Sequence, residues 1–165
     1  MPILTANATE FFSNSPEQTR RLGIQMGGLL GSGDLICLEG ELGAGKTTFV
    51  QGLAAGWGSS DRVTSPTFVL INLYERGDDL QLTHLDAYRL ASAAEAEALD
   101  LDSFLGRVPM VVEWAENIEA ALPAGRLWLK LHFVDDERRR VELSAEGRHY
   151  EELLDDVQES VFGVA

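Results

Sequence analysis

The chain has 165 residues, 45% of them hydrophobic, with 13 Lys and Arg against 27 Asp and Glu and a formal net charge of −14. That length suits one domain over residues 1–165 with a core of its own, and the apolar content excludes disorder over most of it. The acidic balance argues against autonomous binding to a nucleic-acid backbone, which needs a basic footprint, and no apolar run has the roughly 20 residues of a membrane span.

The start, "MPILTANATEFF", lacks the charged head and long apolar segment of a signal peptide. Cys37 is the single cysteine, reads as a small buried apolar group, and has no partner for an internal disulfide. A cytoplasmic protein is expected. A helix is predicted over 15–30, with Ser15 as N-cap, Pro16 in the first turn, Gln18 completing a capping box, and Leu22, Met26, Leu29 and Leu30 as the apolar stripe. "GSGD" then turns the chain into "DLICLE" (34–39), a short apolar run suited to a buried strand.

That strand runs into "GELGAGKTT". Gly40, Gly45, Lys46 and Thr47 fit the phosphate-loop pattern G-x-x-x-x-G-K-[ST]. A triphosphate crowds several negative charges into a small volume, and main-chain N–H groups surround it only where no Cβ blocks them. Gly43 and Gly45 remove two such atoms. Lys46 supplies a mobile charge for the β- and γ-phosphates, and Thr47 a hydroxyl for Mg²⁺. "KTTFVQGLAAGW" follows as a helix, with Phe49, Val50, Leu53 and Ala54 on one face.

Two β-like runs, 67–74 and 80–85, flank "ERGDD" and predict a hairpin. The sheet should therefore mix antiparallel with parallel pairs. Residues 91–105 read as one or two helices, and 108–116 begins as a central strand. "ENIEAALP" is a short helix ended by Pro123. "RLWLKLHFV" and "RRRVELSA" form a second hairpin across "DDER". "HYEELLDDVQESV" closes the chain as a helix with Tyr150, Leu153, Leu154 and Val157 on one face.

Two carboxylates end apolar strand-like runs, on the side where such sheets meet ligands. Asp86 lies on an alternating face with Leu80, Leu82 and His84, as a metal-side or water-side acid, or else as a helix N-cap. Glu113 follows four apolar residues and is costly to bury without a cation, which an arginine such as Arg89 would also satisfy. In "SPTF" (65–68), Thr67 is placed to meet Mg²⁺ or a γ-phosphate, or the segment is an ordinary turn. His84 reads as a hydrogen-bonded sheet histidine and Trp114 as core. Arg138, Arg139 and Arg140 read as an exposed edge or turn.

Together, "GELGAGKTTF", "TSPTF", "HLDAYRL" and "VVEWAE" resemble, in order and spacing, the bacterial TsaE (YjeE-like) ATPases. The resemblance implies an α/β P-loop NTPase-like three-layer sandwich with a mixed central sheet. It implies ATP or ADP with Mg²⁺, and TsaD and TsaB as partners in making threonylcarbamoyladenosine at position 37 of tRNAs that read codons beginning with A. By the same resemblance the 42–48 backbone (Leu42, Gly43, Ala44, Gly45, Lys46, Thr47 and Thr48) holds phosphates, and Thr47 and Glu113 hold Mg²⁺. Asp86 acts at the γ-phosphate, "TSPTF" with Thr67 is a switch loop, and Ser15 approaches the nucleotide. The rivals are a small-molecule P-loop kinase, which would need an arginine lid, and an adaptor that ATP only shapes. A GTPase fits less well, since Asp86 is followed by "AYR" and no N-K-x-D base reader occurs.

Overall fold

A computed structural model describes residues 7–64 and 71–162. The strands are β1 (Ala8–Ser13), β2 (Leu35–Gly40), β3 (Ile71–Glu75), β4 (Gln81–Asp86), β5 (Met110–Glu113), β6 (Arg126–Phe133) and β7 (Arg139–Glu146). The α-helices are α1 (Pro16–Gly27), α2 (Lys46–Trp57), α3 (Ala93–Glu97) and α4 (Arg148–Phe162), with 3₁₀ turns at Leu101–Ser103 and Ala115–Ala121. The seven strands form one sheet in the order β1-β7-β6-β2-β5-β4-β3. The four inner strands β6, β2, β5 and β4 run parallel, and the pairs β3–β4, β6–β7 and β1–β7 are antiparallel. The fold is thus α/β with a mixed sheet. Among the described residues no helix is long and apolar enough to cross a membrane.

Strand alternation sorts the core into two sets. Ile36, Leu38, Val111, Leu127, Leu129 and Leu143 face α1, α2 and α4 and meet Leu22, Met26, Phe49, Leu53, Leu153 and Val157. Leu35, Cys37, Leu85, Met110 and Val112 face the other way, under Ala96, Leu101, Ile118 and Leu122. Burial pushes the Cys37 thiol up to about 12, so it stays a neutral packing group. On the second face the β1–β7–β6 half is polar. Arg140 pairs with Glu10 at 2.7 Å, and the Trp128 indole N–H donates to Glu39 at 2.9 Å.

The helix predicted over 15–30 ends at Gly27, because two successive glycines break it. Its Ser15 hydroxyl accepts from the Gln18 N–H at 3.2 Å, and Gln18 reaches back to the Asn14 N–H at 2.8 Å. Leu29 consequently leaves the stripe and is exposed. Leu80 falls outside β4 and is exposed, so the alternating face begins at Leu82. The 91–105 segment folds only as the five-residue α3 and a 3₁₀ turn. Sequence reading also missed β1, a six-residue edge strand whose solvent-facing alternation is weak.

The phosphate-loop helix is seated by close backbone contact. Gly23 and Gly27 on α1 oppose Gly52 and Gly56 on α2, and the pairing leaves no room for side chains. A Cβ at Gly52 would stand 2.0 Å from the Arg20 carbonyl oxygen, and one at Gly56 equally near that of Ile24. Gly52→Ala gains about 1 kcal/mol of helix propensity. It must also push two backbones apart, at about 1–3 kcal/mol or more. The variant is expected to unfold at lower urea concentration than the parent, and an unchanged or raised midpoint would refute this account of the α1–α2 contact.

Candidate functional site

The C-terminal ends of β2, β4 and β5 lie side by side, because Leu38 and Asp86 both pair with Glu113 in the register. The chain leaves β2 through a loop in which Gly43 (φ 83°) and Gly45 (φ 99°) take left-handed conformations on either side of Ala44. Such alternation makes an anion-binding nest. The Ala44 methyl is buried in the core, which anchors the loop from beneath. No side chain caps the start of α2, so its positive dipole end is presented to the loop.

Lys46 Nζ donates to the Gly40 carbonyl and, at 2.9 Å, to that of Glu41. It stands 4.1 Å from the centre of the Trp114 ring. Burial lowers the lysine pKa, and Glu113, Glu116, Asp86 and Glu41 oppose that shift. Two of these carboxylates, Asp86 and Glu113, share a cavity with the ammonium.

Asp86 ends β4. Its Oδ1 accepts from the Tyr88 N–H at 2.9 Å, and the Ala87 N–H donates to the Glu113 carbonyl at 2.9 Å. Burial raises its pKa; the Tyr88 N–H works against the rise, and the Glu113 charge adds to it. Glu113 is 2% exposed, and its buried partner is a histidine: His84 Nε2 lies 2.6 Å from Oε2. The pairing weighed with Arg89 is replaced by this one, because strand alternation puts His84 on the same face as Glu113. His84 Nδ1 is in turn 2.7 Å from the Tyr74 hydroxyl, whose pKa burial pushes up to about 12. The two ring nitrogens of His84 thus each face one partner, the Tyr74 hydroxyl and the Glu113 carboxyl group.

A cavity of about 450 Å³ collects these groups. Leu42, Gly43, Gly45, Lys46, Thr47 and Thr48 line it from the phosphate loop and α2, and Asp86 and Glu113 line it from the strand ends. Ser15 is not among its lining residues; its hydroxyl caps α1. Thr67, with Ser65, Pro66 and Phe68, lies outside the described residues.

Four lining residues were not singled out for the site: Tyr88, Arg89, Trp114 and Arg139. Trp114, expected in the core, packs against it with part of its surface and turns the rest to the cavity, with Tyr88 at 5.0 Å between ring centres. Its backbone is left-handed (φ 57°), a costly conformation for a bulky residue. The signal was its place directly after a strand-end acid.

Asp86→Asn keeps the acceptor for the Tyr88 N–H but removes the charge. A carboxyl whose pKa is raised by folding costs stability in its ionised form. That cost is complete above the folded-state pKa and absent below the ordinary carboxylate value of about 3.9. The nucleotide-free variant in EDTA should melt above the parent at pH 7, and the gap should close as the pH falls toward 4. A parent that melts higher at pH 7 would contradict this.

Comparison with known proteins identifies the family. A family model described as "Threonylcarbamoyl adenosine biosynthesis protein TsaE" matches residues 13–141. A Bacillus subtilis protein named tRNA threonylcarbamoyladenosine biosynthesis protein TsaE is 39% identical over 143 residues, which cover 87% of this chain and 89% of the relative. A Streptomyces coelicolor protein of the same name is 47% identical over 114 residues, 68% of this chain and 77% of the relative. The crystal structure of Bacillus subtilis YdiB aligns with a TM-score of 0.77 at 34% identity, over 96% of this chain and 97% of that one. With a family match spanning most of its length and relatives this similar, the chain belongs to the TsaE family.

Proposed function

We propose that the chain, acting as one cytoplasmic domain, binds and hydrolyses ATP with Mg²⁺ as the nucleotide-driven partner of a TsaD–TsaB complex. That complex would make threonylcarbamoyladenosine at position 37 of tRNAs that read codons beginning with A. The observation that carries the ATPase reading is the convergence of Lys46, Asp86 and Glu113 on one cavity at the mouth of a phosphate loop. The relatives' names carry the tRNA-modification reading.

Charge supports a divalent cofactor. A triphosphate entering beside Asp86 and Glu113 meets two carboxylates, and a divalent cation between them turns repulsion into attraction. Among the described residues no cluster of three or more His, Cys, Asp or Glu forms a resident metal site. Mg²⁺ is commonly held by one or two protein groups together with phosphates. Thr47 and Glu113 fit that sparse set, with only Oε2 of Glu113 taken by His84. Bound there, Mg²⁺ would neutralise charge on the β- and γ-phosphates. Lys46 would exchange its main-chain carbonyls for phosphate oxygens. The backbone at Leu42, Gly43, Ala44, Gly45, Thr47 and Thr48 would hold the phosphates, with Ser15 near the nucleotide. Asp86, whose raised pKa suits a proton acceptor, would orient the attacking water. Thr67 in the 64–68 segment would report the γ-phosphate.

The acidic chain would leave the RNA to TsaD and TsaB. The arginines expected to form a kinase lid are engaged within the fold: Arg138 is tied to Asp135 and Arg140 to Glu10 and Glu142, while Arg139 donates to main chain.

Calorimetry with ATP and ADP, with and without Mg²⁺, tests the binding half. Lys46→Ala should weaken ATP about tenfold to a hundredfold, and Glu113→Gln should erase most of the gain from Mg²⁺. Hydrolysis measured with TsaD–TsaB should fall about a hundredfold or more in Asp86→Ala. Parent-like ATP affinity in a folded Lys46→Ala would refute the phosphate-loop assignment. Transfer of the γ-phosphate to a small acceptor instead of water would favour the kinase.

A further inference from the structure

The three consecutive arginines do three different things, because β7 alternates faces. Arg138, in the turn before the strand, pairs with Asp135 at 2.6 Å. Arg140 points to the polar face and pairs with Glu10 and Glu142. Arg139 points to the opposite face, where the phosphate loop passes. Its Nε donates to the Ala44 carbonyl at 3.1 Å and its Nη2 to the Gly43 carbonyl at 3.0 Å. Nη1 donates to the carbonyls of Asp135 and, at 2.8 Å, Arg138 in the β6–β7 turn. The guanidinium lies 4.8 Å from the centre of the Phe133 ring.

We infer that Arg139 is a positioning residue of the phosphate site, a fixed clamp between the β6–β7 turn and the phosphate loop. The reasoning follows from peptide planarity. In a trans peptide the carbonyl and the next N–H point opposite ways. Holding the Ala44 carbonyl on the guanidinium turns the Gly45 N–H away from Arg139. Holding the Gly43 carbonyl does the same for the Ala44 N–H, which closes the loop on the Glu41 carbonyl at 3.0 Å. One plane thus locks the turn and the other orients a donor of the nest. A planar guanidinium can span two adjacent carbonyls, which an ammonium cannot do with the same geometry. With Gly43 and Gly45 both left-handed, the loop is costly to order, and a clamp present before the ligand lowers that cost. Arg139 gives four of its five N–H donors to carbonyls, and as a support of the loop backbone its effect should be the same with or without the γ-phosphate. That separates it from Lys46.

This inference rests on the nucleotide reading of the loop, and the experiment separates the two. ADP and ATP affinities are measured by calorimetry for the parent, Arg139→Met, which keeps the stem over Phe133, and Arg139→Lys. Melting of each nucleotide-free chain is recorded in parallel. Arg139→Met should bind both nucleotides more weakly by the same factor, about tenfold or more for two charge-assisted bonds lost. Arg139→Lys should recover part of that, and the nucleotide-free melting temperatures should agree within about 4 °C. A parent that binds neither nucleotide removes the reading beneath the inference. With a binding parent, unchanged affinity in Arg139→Met overturns the clamp alone. Selective loss of ATP would make Arg139 a direct γ-phosphate ligand instead. An Arg139→Met chain that does not fold would make it a support of the fold.

Discussion

One buried ammonium in the electrostatic field of several carboxylates is the constraint on which the site depends. Glu41, Asp86, Glu113 and Glu116 all act on Lys46, and burial works against its charge. Water would relieve such a cluster on an open surface. Here Glu113 and Lys46 are buried, so the protein has to supply the counter-groups. It does so with main-chain carbonyls and an indole face for the lysine, a histidine for Glu113 and a backbone N–H for Asp86. Lys46, Glu113 and Asp86 are thus each held by a group of their own within the protein.

The sheet imposes that arrangement. Parallel pairing of β4 with β5 and of β5 with β2 brings three strand ends to one level, and the register sets Asp86 against Glu113. The glycine contact between α1 and α2 seats the helix whose first residue is Lys46. Displacing α2 by the width of a methyl group would move the lysine relative to carboxylates that are fixed in a central sheet. Backbone-to-backbone packing far from the cavity is therefore part of how the charges are placed.

What the sequence could reveal follows from the range of each interaction. The strand–loop–helix at 34–57 is local, and its glycines, lysine and apolar periods all fall within one window. The strand-end acids were legible because an acid after an apolar run is unusual. The partner of Glu113 was harder, since it required the β4–β5 register, which no local pattern states. Arg139 was hidden by its neighbours. A run of three arginines looks like one basic patch until the start of β7 is known, and then the middle one turns to the loop alone. β1 was invisible for the opposite reason: its pairing with β7 is decided by a strand more than a hundred residues later. The α1 boundary failed because apolar residues continue beyond Gly27 while helix propensity does not.

The buried line from Tyr74 through His84 to Glu113 gives the edge of the sheet a stake in the site. β3 pairs only with β4 within the sheet, so it is the least supported strand on that side. It is also the strand that follows the 64–68 segment in the chain. A fully satisfied buried network is worth more than its separate bonds, and a broken one leaves costly unpaired groups behind. Tyr74 can therefore shift little without disturbing His84, and His84 little without releasing Glu113 Oε2. The far half of β3 is thus linked to the strand-end carboxylate through two hydrogen-bond contacts of 2.7 and 2.6 Å. The position of Glu113 is thus tied to that of β3, which joins the outer hairpin to the strand end beside the phosphate loop.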